Sequence, residues 1–273
     1  MITGTLFVTG TGTGVGKTIV TAAIAALSRS AGRRVAVVKL AQTGVQPGKH
    51  SGPGSDTPDL ETVTRLSGVT DTHELARFPD PLSPEAAARV SGLPPVDFAR
   101  AAALIAVLEA DRDLILVEGA GGLLVRYDDD GATIADLAET RDLVLVEGAG
   151  GLLVRYDDRG ATIADLATVL NEQGLDAPAL VVTAAGLGTL NHTALTLEAA
   201  AARKVRTAGV VVGSWPRRPG LAERENLADL ETLASGPLAG LLPEDSGSLP
   251  PAEFLAVARD GLGPTLGGRR VPR

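Results

Sequence analysis

The stretch Leu6–Thr18, LFVTGTGTGVGKT, decides the fold. A short apolar run, Leu6–Thr9, enters a loop holding Gly10, Gly12, Gly14 and Gly16, and Lys17 and Thr18 then open an Ala- and Ile-rich segment. Glycine-rich backbone at a helix start presents several N–H groups to an anion, and the helix dipole adds to the attraction. Lys17 has the length to reach β- and γ-phosphates, and the Thr18 hydroxyl suits Mg²⁺. The spacing G-x-x-x-x-G-K-[ST] is not met, because Thr11 stands where the first glycine belongs and Gly10 lies one residue further out. The strand–loop–helix context and the G-K-T at the helix start carry the reading of a phosphate loop. Thr13, Gly14, Val15, Gly16, Lys17 and Thr18 are its expected ATP contacts.

Working outward, apolar runs rich in β-branched residues alternate with longer Ala/Leu segments. Strands are expected at Leu6–Thr9, Val35–Lys39, Leu114–Val117, Leu143–Val146, Ala179–Thr183, Gly209–Gly213 and Leu238–Leu242. Helices are expected at Lys17–Ala31, Leu60–Leu66, Pro84–Val90, Asp97–Ala110, Ile163–Gln173, Thr189–Ala202, Glu223–Leu233 and Pro251–Ala258. Such alternation predicts βα units and a mainly parallel sheet covered by helices on both faces, a P-loop NTPase-like α/β fold. The 273 residues read as one domain, with a surface loop at Gln46–Pro58 and a fraying Gly/Pro/Arg-rich tail from Gly261.

Composition narrows the function. Hydrophobic residues make up 44% but aromatics only 3%, so the core must be Ala, Val, Leu and Ile, which suits a buried parallel sheet. The net charge of −8, with no basic cluster, argues against nucleic acid as a partner. Cysteine is absent, which excludes disulfides and thiolate chemistry. No apolar run reaches membrane-spanning length, and the N-terminus reads as a first strand and not a signal peptide, so a cytoplasmic protein is expected.

One segment occurs twice. DLILVEGAGGLLVRYDDDGATIADLA, Asp113–Ala138, returns at Asp142–Ala167, an offset of 142 − 113 = 29 residues; only Ile115/Val144 and Asp130/Arg159 differ. Two units are too few for a solenoid, so this reads as a tandem duplication inside one domain.

Several residues stand where chemistry is expected. Lys39 closes the second strand, and strand C-termini line the site in parallel sheets. A lysine there can neutralise a γ-phosphate as charge moves. Glu118 and Glu147 each end an apolar strand and precede a glycine turn, Gly119–Ala120–Gly121 in one copy and Gly148–Ala149–Gly150 in the other. A carboxylate at such a tip can serve Mg²⁺, a hard cation that favours oxygen ligands. Asp59 starts a helix, and Asp56 competes with it. Ser83 before Pro84 is an N-cap signal. Thr189 and Asn191 open a helix where backbone N–H groups could take a carboxylate. A sheet slot holds one strand. If the surplus unit left the fold at the turn near Arg112, Glu147 would be the metal ligand; if it left at Tyr127–Gly131, Glu118 would be. The first route keeps the excursion away from the phosphate end and points to Glu147.

GTGTGVGKT, VKLAQTG (Val38–Gly44), VEGAGG and GLGTLNHT (Gly186–Thr193), in this order, resemble dethiobiotin synthetases. The resemblance runs from about Thr5 to about Leu266. It implies a homodimer that closes a ureido ring on 7,8-diaminononanoate with CO₂, using ATP and Mg²⁺, in biotin synthesis. By the same resemblance Lys39 and Lys17 are catalytic, and Thr18, Asp59 and Glu147 (or Glu118) hold the metal. Thr43, Ser83, Thr189 and Asn191 meet substrate, the last two across the dimer interface. Gly213, Ser214, Pro243, Glu244 and Asp245 surround the adenine. Three rivals share features of this sequence. Switch ATPases of the partitioning class carry a lysine where Gly12 stands. Larger amidotransfer synthetases add a Cys-dependent domain. An inactive nucleotide binder would result if the duplication spoiled the site.

Overall fold

The strand that feeds the glycine loop sits at the centre of the sheet. In the computed structural model, which describes residues 1–2, 4–39, 41–45, 57–95, 104, 107–108, 111–118, 178–202 and 206–271, it is β1 (Gly4–Gly10). It is followed by α1 (Lys17–Ser30), β2 (Val35–Lys39), β3 (Gln42–Thr43), α2 (Asp59–Ser67), β4 (Thr72–Glu74), β5 (Arg77–Phe78) and α3 (Pro84–Ser91). Then come β6 (Leu114–Glu118), β7 (Ala179–Thr183), α4 (Thr189–Ala202), β8 (Thr207–Trp215), α5 (Leu221–Leu233), β9 (Gly240–Pro243) and α6 (Pro251–Gly261).

Among the described residues, seven strands form one sheet in the order β4-β2-β6-β1-β7-β8-β9, and their pairings are parallel throughout. The chain leaves β1 toward β2 and later returns to fill both sides of β1 with β6 and β7. In an open α/β sheet such a reversal opens a crevice at the carboxyl ends of the strands. The phosphate loop, following β1, lies at that crevice.

Successive side chains on a strand face opposite ways, and the core divides accordingly. Leu180, Val182 and Val211 join a large cluster with Val20, Ile24 and Leu27 of α1, while Val181, Val210 and Val212 pack with Leu230 of α5. Helices therefore cover both faces, and the expected P-loop NTPase-like α/β architecture is the observed one. The scarcity of aromatics is met by alanine: Ala22, Ala23 and Ala25 are fully buried, which lets α1 lie close to the sheet.

Some expectations need correction. β3, β4 and β5 were not expected, because two or three residues are too few to show a period, although Gln42 and Phe78 in them are buried. The tail from Gly261 is packed and not frayed: Leu262 and Leu266 are buried, Ile2 N–H donates to the Thr265 carbonyl at 2.9 Å, and Arg270 N–H donates to the Leu262 carbonyl at 3.0 Å. Among the expected elements, Leu143–Val146 and Ile163–Gln173 lie outside the described residues, as does most of Gln46–Pro58. Of Asp97–Ala110, only residues 104, 107 and 108 are described, and they are helical.

The slot between β1 and β2 is filled by β6, from the first copy of the repeat. This overturns the exit at Arg112 and, with it, the placement of the second copy's strand in the slot. The turn at Arg112 is pinned on both sides. Asp113 accepts the Arg34 backbone N–H at 2.8 Å, and its carbonyl accepts from the Arg33 guanidinium at 2.8 Å. Arg112 donates to Asp71 at 2.6 Å, next to β4. Burial pushes the Asp71 carboxyl up, but the hydrogen bonds from Arg112 and His73 outweigh it and hold the carboxyl below the usual carboxylate range.

Candidate functional site

The phosphate loop has the conformation its glycines predict. Gly14 and Gly16 have φ of +75° and +98°, values that an L side chain resists. Gly16 caps α1, whose first turn receives no side-chain cap and contains no acid. These N–H groups and the positive end of the helix are thus presented to an anion. Lys17 is buried, and its ammonium donates to the Gly12 carbonyl at 3.1 Å, folded back over the loop. Thr13 and Gly14 are exposed at the loop's tip.

Lys39, Asp59 and Thr18, far apart in sequence, converge beside this loop. The Lys39 ammonium lies 2.8 Å from Asp59 Oδ2, with Lys39 only 4% exposed. The Thr18 hydroxyl donates to Asp59 Oδ1 at 3.1 Å. Asp59 is the first residue of α2 and not its cap. Its backbone N–H donates to the side-chain carbonyl of Gln42 at 3.0 Å, so Gln42 fixes where α2 begins. In the parallel register Lys39 has Glu118 on one side and Glu74 on the other. The Glu74 carboxylate is engaged by Arg77 at 2.7 and 3.0 Å. Asp56, Gly119, Ala120, Gly121, Glu147, Gly148, Ala149 and Gly150 lie outside the described residues.

A hydroxyl and a carboxylate are hard oxygen donors of the kind Mg²⁺ favours. The two side chains are hydrogen-bonded to each other at 3.1 Å, and as a hydroxyl and a carboxylate side by side they suit that ion.

Other expected site residues are placed with mixed results. Thr43 is half-buried in β3, four residues past Lys39, and Ser83 caps α3 by backbone geometry without a side-chain bond. Asn191 is exposed on α4. Thr189 is not: it is buried, and its hydroxyl donates to the Ala184 carbonyl at 2.7 Å. The same hydroxyl lies 2.7 Å from that of Thr183 at the end of β7, so it is engaged within the fold. Gly213, expected near adenine, packs against the phosphate loop: a Cβ there would lie 2.2 Å from the Val15 carbonyl oxygen. Ser214, Pro243 and Asp245 are exposed at the ends of β8 and β9. Glu244 binds the Arg217 backbone N–H at 2.7 Å, tying those two ends together.

Comparison with known proteins identifies a family. The family profile described as an AAA domain, AAA_26, matches residues 4–143 and again 132–252. The first match holds the whole of one repeat copy and the second the whole of the other. A curated relative from Frankia casuarinae, named ATP-dependent dethiobiotin synthetase BioD, is 56% identical over 96% of this chain and 93% of its own length. The protein of the same name from Rhodococcus jostii is 49% identical over 93% of this chain and 92% of its own length. The chain belongs to the dethiobiotin synthetase family. Likeness to solved structures is weaker: a ParA family ATPase from Chlorobium tepidum TLS is 14% identical, covers 93% of this chain and 91% of its own, and gives a TM-score of 0.47.

The phosphate loop, Lys39 and Asp59, all singled out from sequence, are brought together in this member of the dethiobiotin synthetase family. Sequence reading missed Gln42 and Glu74. Gln42 stands inside the quoted run VKLAQTG, where a buried amide beside Lys39 was a usable signal. It also missed Thr183 and Asn226, which sit in ordinary strand and helix contexts and announce nothing.

Proposed function

We propose that this chain closes the ureido ring of dethiobiotin on 7,8-diaminononanoate, consuming CO₂ and one ATP and releasing ADP and phosphate. One amine adds to CO₂ and loses a proton, giving a carbamate. The carbamate oxygen attacks the γ-phosphorus and ADP leaves. The second amine attacks the carbamate carbon of the mixed anhydride, phosphate departs and the ring closes. No side-chain nucleophile is needed, so positioning and charge stabilisation are the protein's task. Lys17 and the loop N–H groups hold the β- and γ-phosphates. Lys39, buried and held by Asp59, meets the charge that grows on the transferring phosphoryl group. Thr18 and Asp59, with Glu118 at the end of β6, would hold Mg²⁺, which when bound neutralises phosphate charge. Thr43, Ser83 and Asn191 are the proposed substrate contacts, the last from the second subunit of a homodimer. Ser214, Pro243, Glu244 and Asp245 border the adenine, and the protein works in the cytoplasm.

The observation that carries this reading is the convergence of Lys39, Asp59 and Thr18 at the phosphate loop. Incubation with diaminononanoate, bicarbonate and Mg-ATP should release ADP only when the diamine is present. ADP release that ignores the diamine would refute it and would return the chain to the switch ATPases.

A further inference from the structure

We propose that Thr183 is a positioning residue that locks the entry of the phosphate loop, through buried hydroxyls whose donor direction is fixed. The proposal rests on the phosphate-loop reading. Thr183 ends β7 and is fully buried. Its hydroxyl oxygen lies 2.7 Å from that of Thr189, 2.8 Å from that of Thr193 and 3.3 Å from that of Thr11.

A hydroxyl has one proton to give and two lone pairs to receive. Thr189 gives its proton to the Ala184 carbonyl at 2.7 Å. Thr183 must therefore donate to Thr189, and Thr193 and Thr11 must donate to Thr183. Every capacity of the Thr183 oxygen is then used, and the line runs from Thr11 through Thr183 and Thr189 to the Ala184 carbonyl. Thr11 is the first residue after β1, and its backbone N–H also donates to the Val182 carbonyl at 2.9 Å. The chain thus leaves β1 tied to β7 by main chain and side chain together. The far end of the line is anchored independently, since Asn226 of α5 donates to the carbonyls of Ala185 and Gly186 at 2.9 and 3.1 Å. Buried hydroxyls left without a partner cost more than the bond itself contributed. The loop entry therefore has one favoured place.

The test compares Thr183→Val, Thr183→Ser and Thr193→Val for ATP affinity by isothermal titration calorimetry, with thermal melting alongside. Thr183→Val should weaken ATP binding about tenfold, and Thr183→Ser, which keeps the hydroxyl, should restore it. Thr193→Val removes an arm that does not reach the loop, so it should lower the melting temperature and leave ATP affinity unchanged. Wild-type affinity in Thr183→Val, or equal losses in Thr183→Val and Thr193→Val, would overturn the proposal. If Thr183→Val does not fold, Thr11→Val cuts the same line from the half-buried end, and an unchanged affinity there overturns it as well. Failure of the wild-type protein to bind ATP would instead sink the phosphate-loop reading and the proposal with it.

Discussion

Gly213→Ala tests how closely β8 supports the phosphate loop. A Cβ at Gly213 would lie 2.2 Å from the Val15 carbonyl oxygen, 2.7 Å from Val182 Cγ1 and 3.1 Å from Gly16 Cα. Carbon and oxygen settle at about 3.3 Å or beyond, so something must move by roughly 1 Å. β8 is fixed between β7 and β9, and Val182 is fully buried. The loop is the softer partner and must give. Its N–H groups are the proposed phosphate donors, and a displacement near 1 Å can cost about a hundredfold in a positioned site. Gly213 itself does not occupy the positive-φ region, so alanine adds no backbone strain and the contact is tested alone. Overpacking should cost about 1–3 kcal/mol of stability, which leaves a folded protein to assay. The expected result is an ATP dissociation constant raised about a hundredfold by calorimetry, with a modest fall in melting temperature. Gly236→Ala, where a Cβ meets nothing within 4 Å, is the control. ATP binding by Gly213→Ala within about threefold of wild type would refute the reasoning, because that change is under 1 kcal/mol.

Three further outcomes are expected. Glu118→Gln should abolish diamine-dependent ADP release and Glu147→Gln should leave it intact, because the first copy's strand fills the slot beside Lys39; comparable losses from both would contradict a single slot. Lys39→Met should lower kcat by about 10²–10³ in the same assay, the usual effect of losing one preorganised charge partner; a near-normal kcat with a raised KM would assign Lys39 to ground-state binding instead. Asp71, held below the ordinary carboxylate range, contributes stability that is present above its unfolded pKa of about 3.9 and is lost as pH falls through the folded value. Asp71→Asn should therefore melt below wild type at pH 7, and the gap should close on acidification under about pH 4; a gap that persists unchanged to pH 3 would show that the carboxylate's charge is not its source.

Local patterns made much of this protein legible in advance. The glycine run ending in Lys17 and Thr18 has few uses other than cradling phosphates, and its position between an apolar strand and an Ala-rich helix named the fold. Lys39 was legible because a charged residue closing a buried run, Val35–Val38, calls for a partner at the strand end, a place that Asp59 fills. Asp59 was visible as a helix-start acid, but its partners were not. Only folding brings it against Lys39, twenty positions earlier, and Thr18, forty-one positions earlier.

The duplication shows where sequence alone stops. Two copies that agree at 24 of 26 positions carry nearly the same strand propensity and burial pattern, so local preference cannot choose between them. Arg112 and Asp113, which Asp71, Arg33 and Arg34 grip, have identical counterparts in Arg141 and Asp142, so the choice falls to what lies just before them: Asp111, which pairs with both Arg34 and Arg112, is Thr140 in the second copy. Thr189 and Gly213 have roles in packing that their neighbours in sequence did not announce: in space they meet Thr183 and Val15. Sequence determined the phosphate loop, the fold class and the family, because each rests on short-range pattern. Tertiary structure decided the filled slot, the partners of Asp59 and the direction of the threonine line, because those depend on which distant groups share one buried, low-dielectric space.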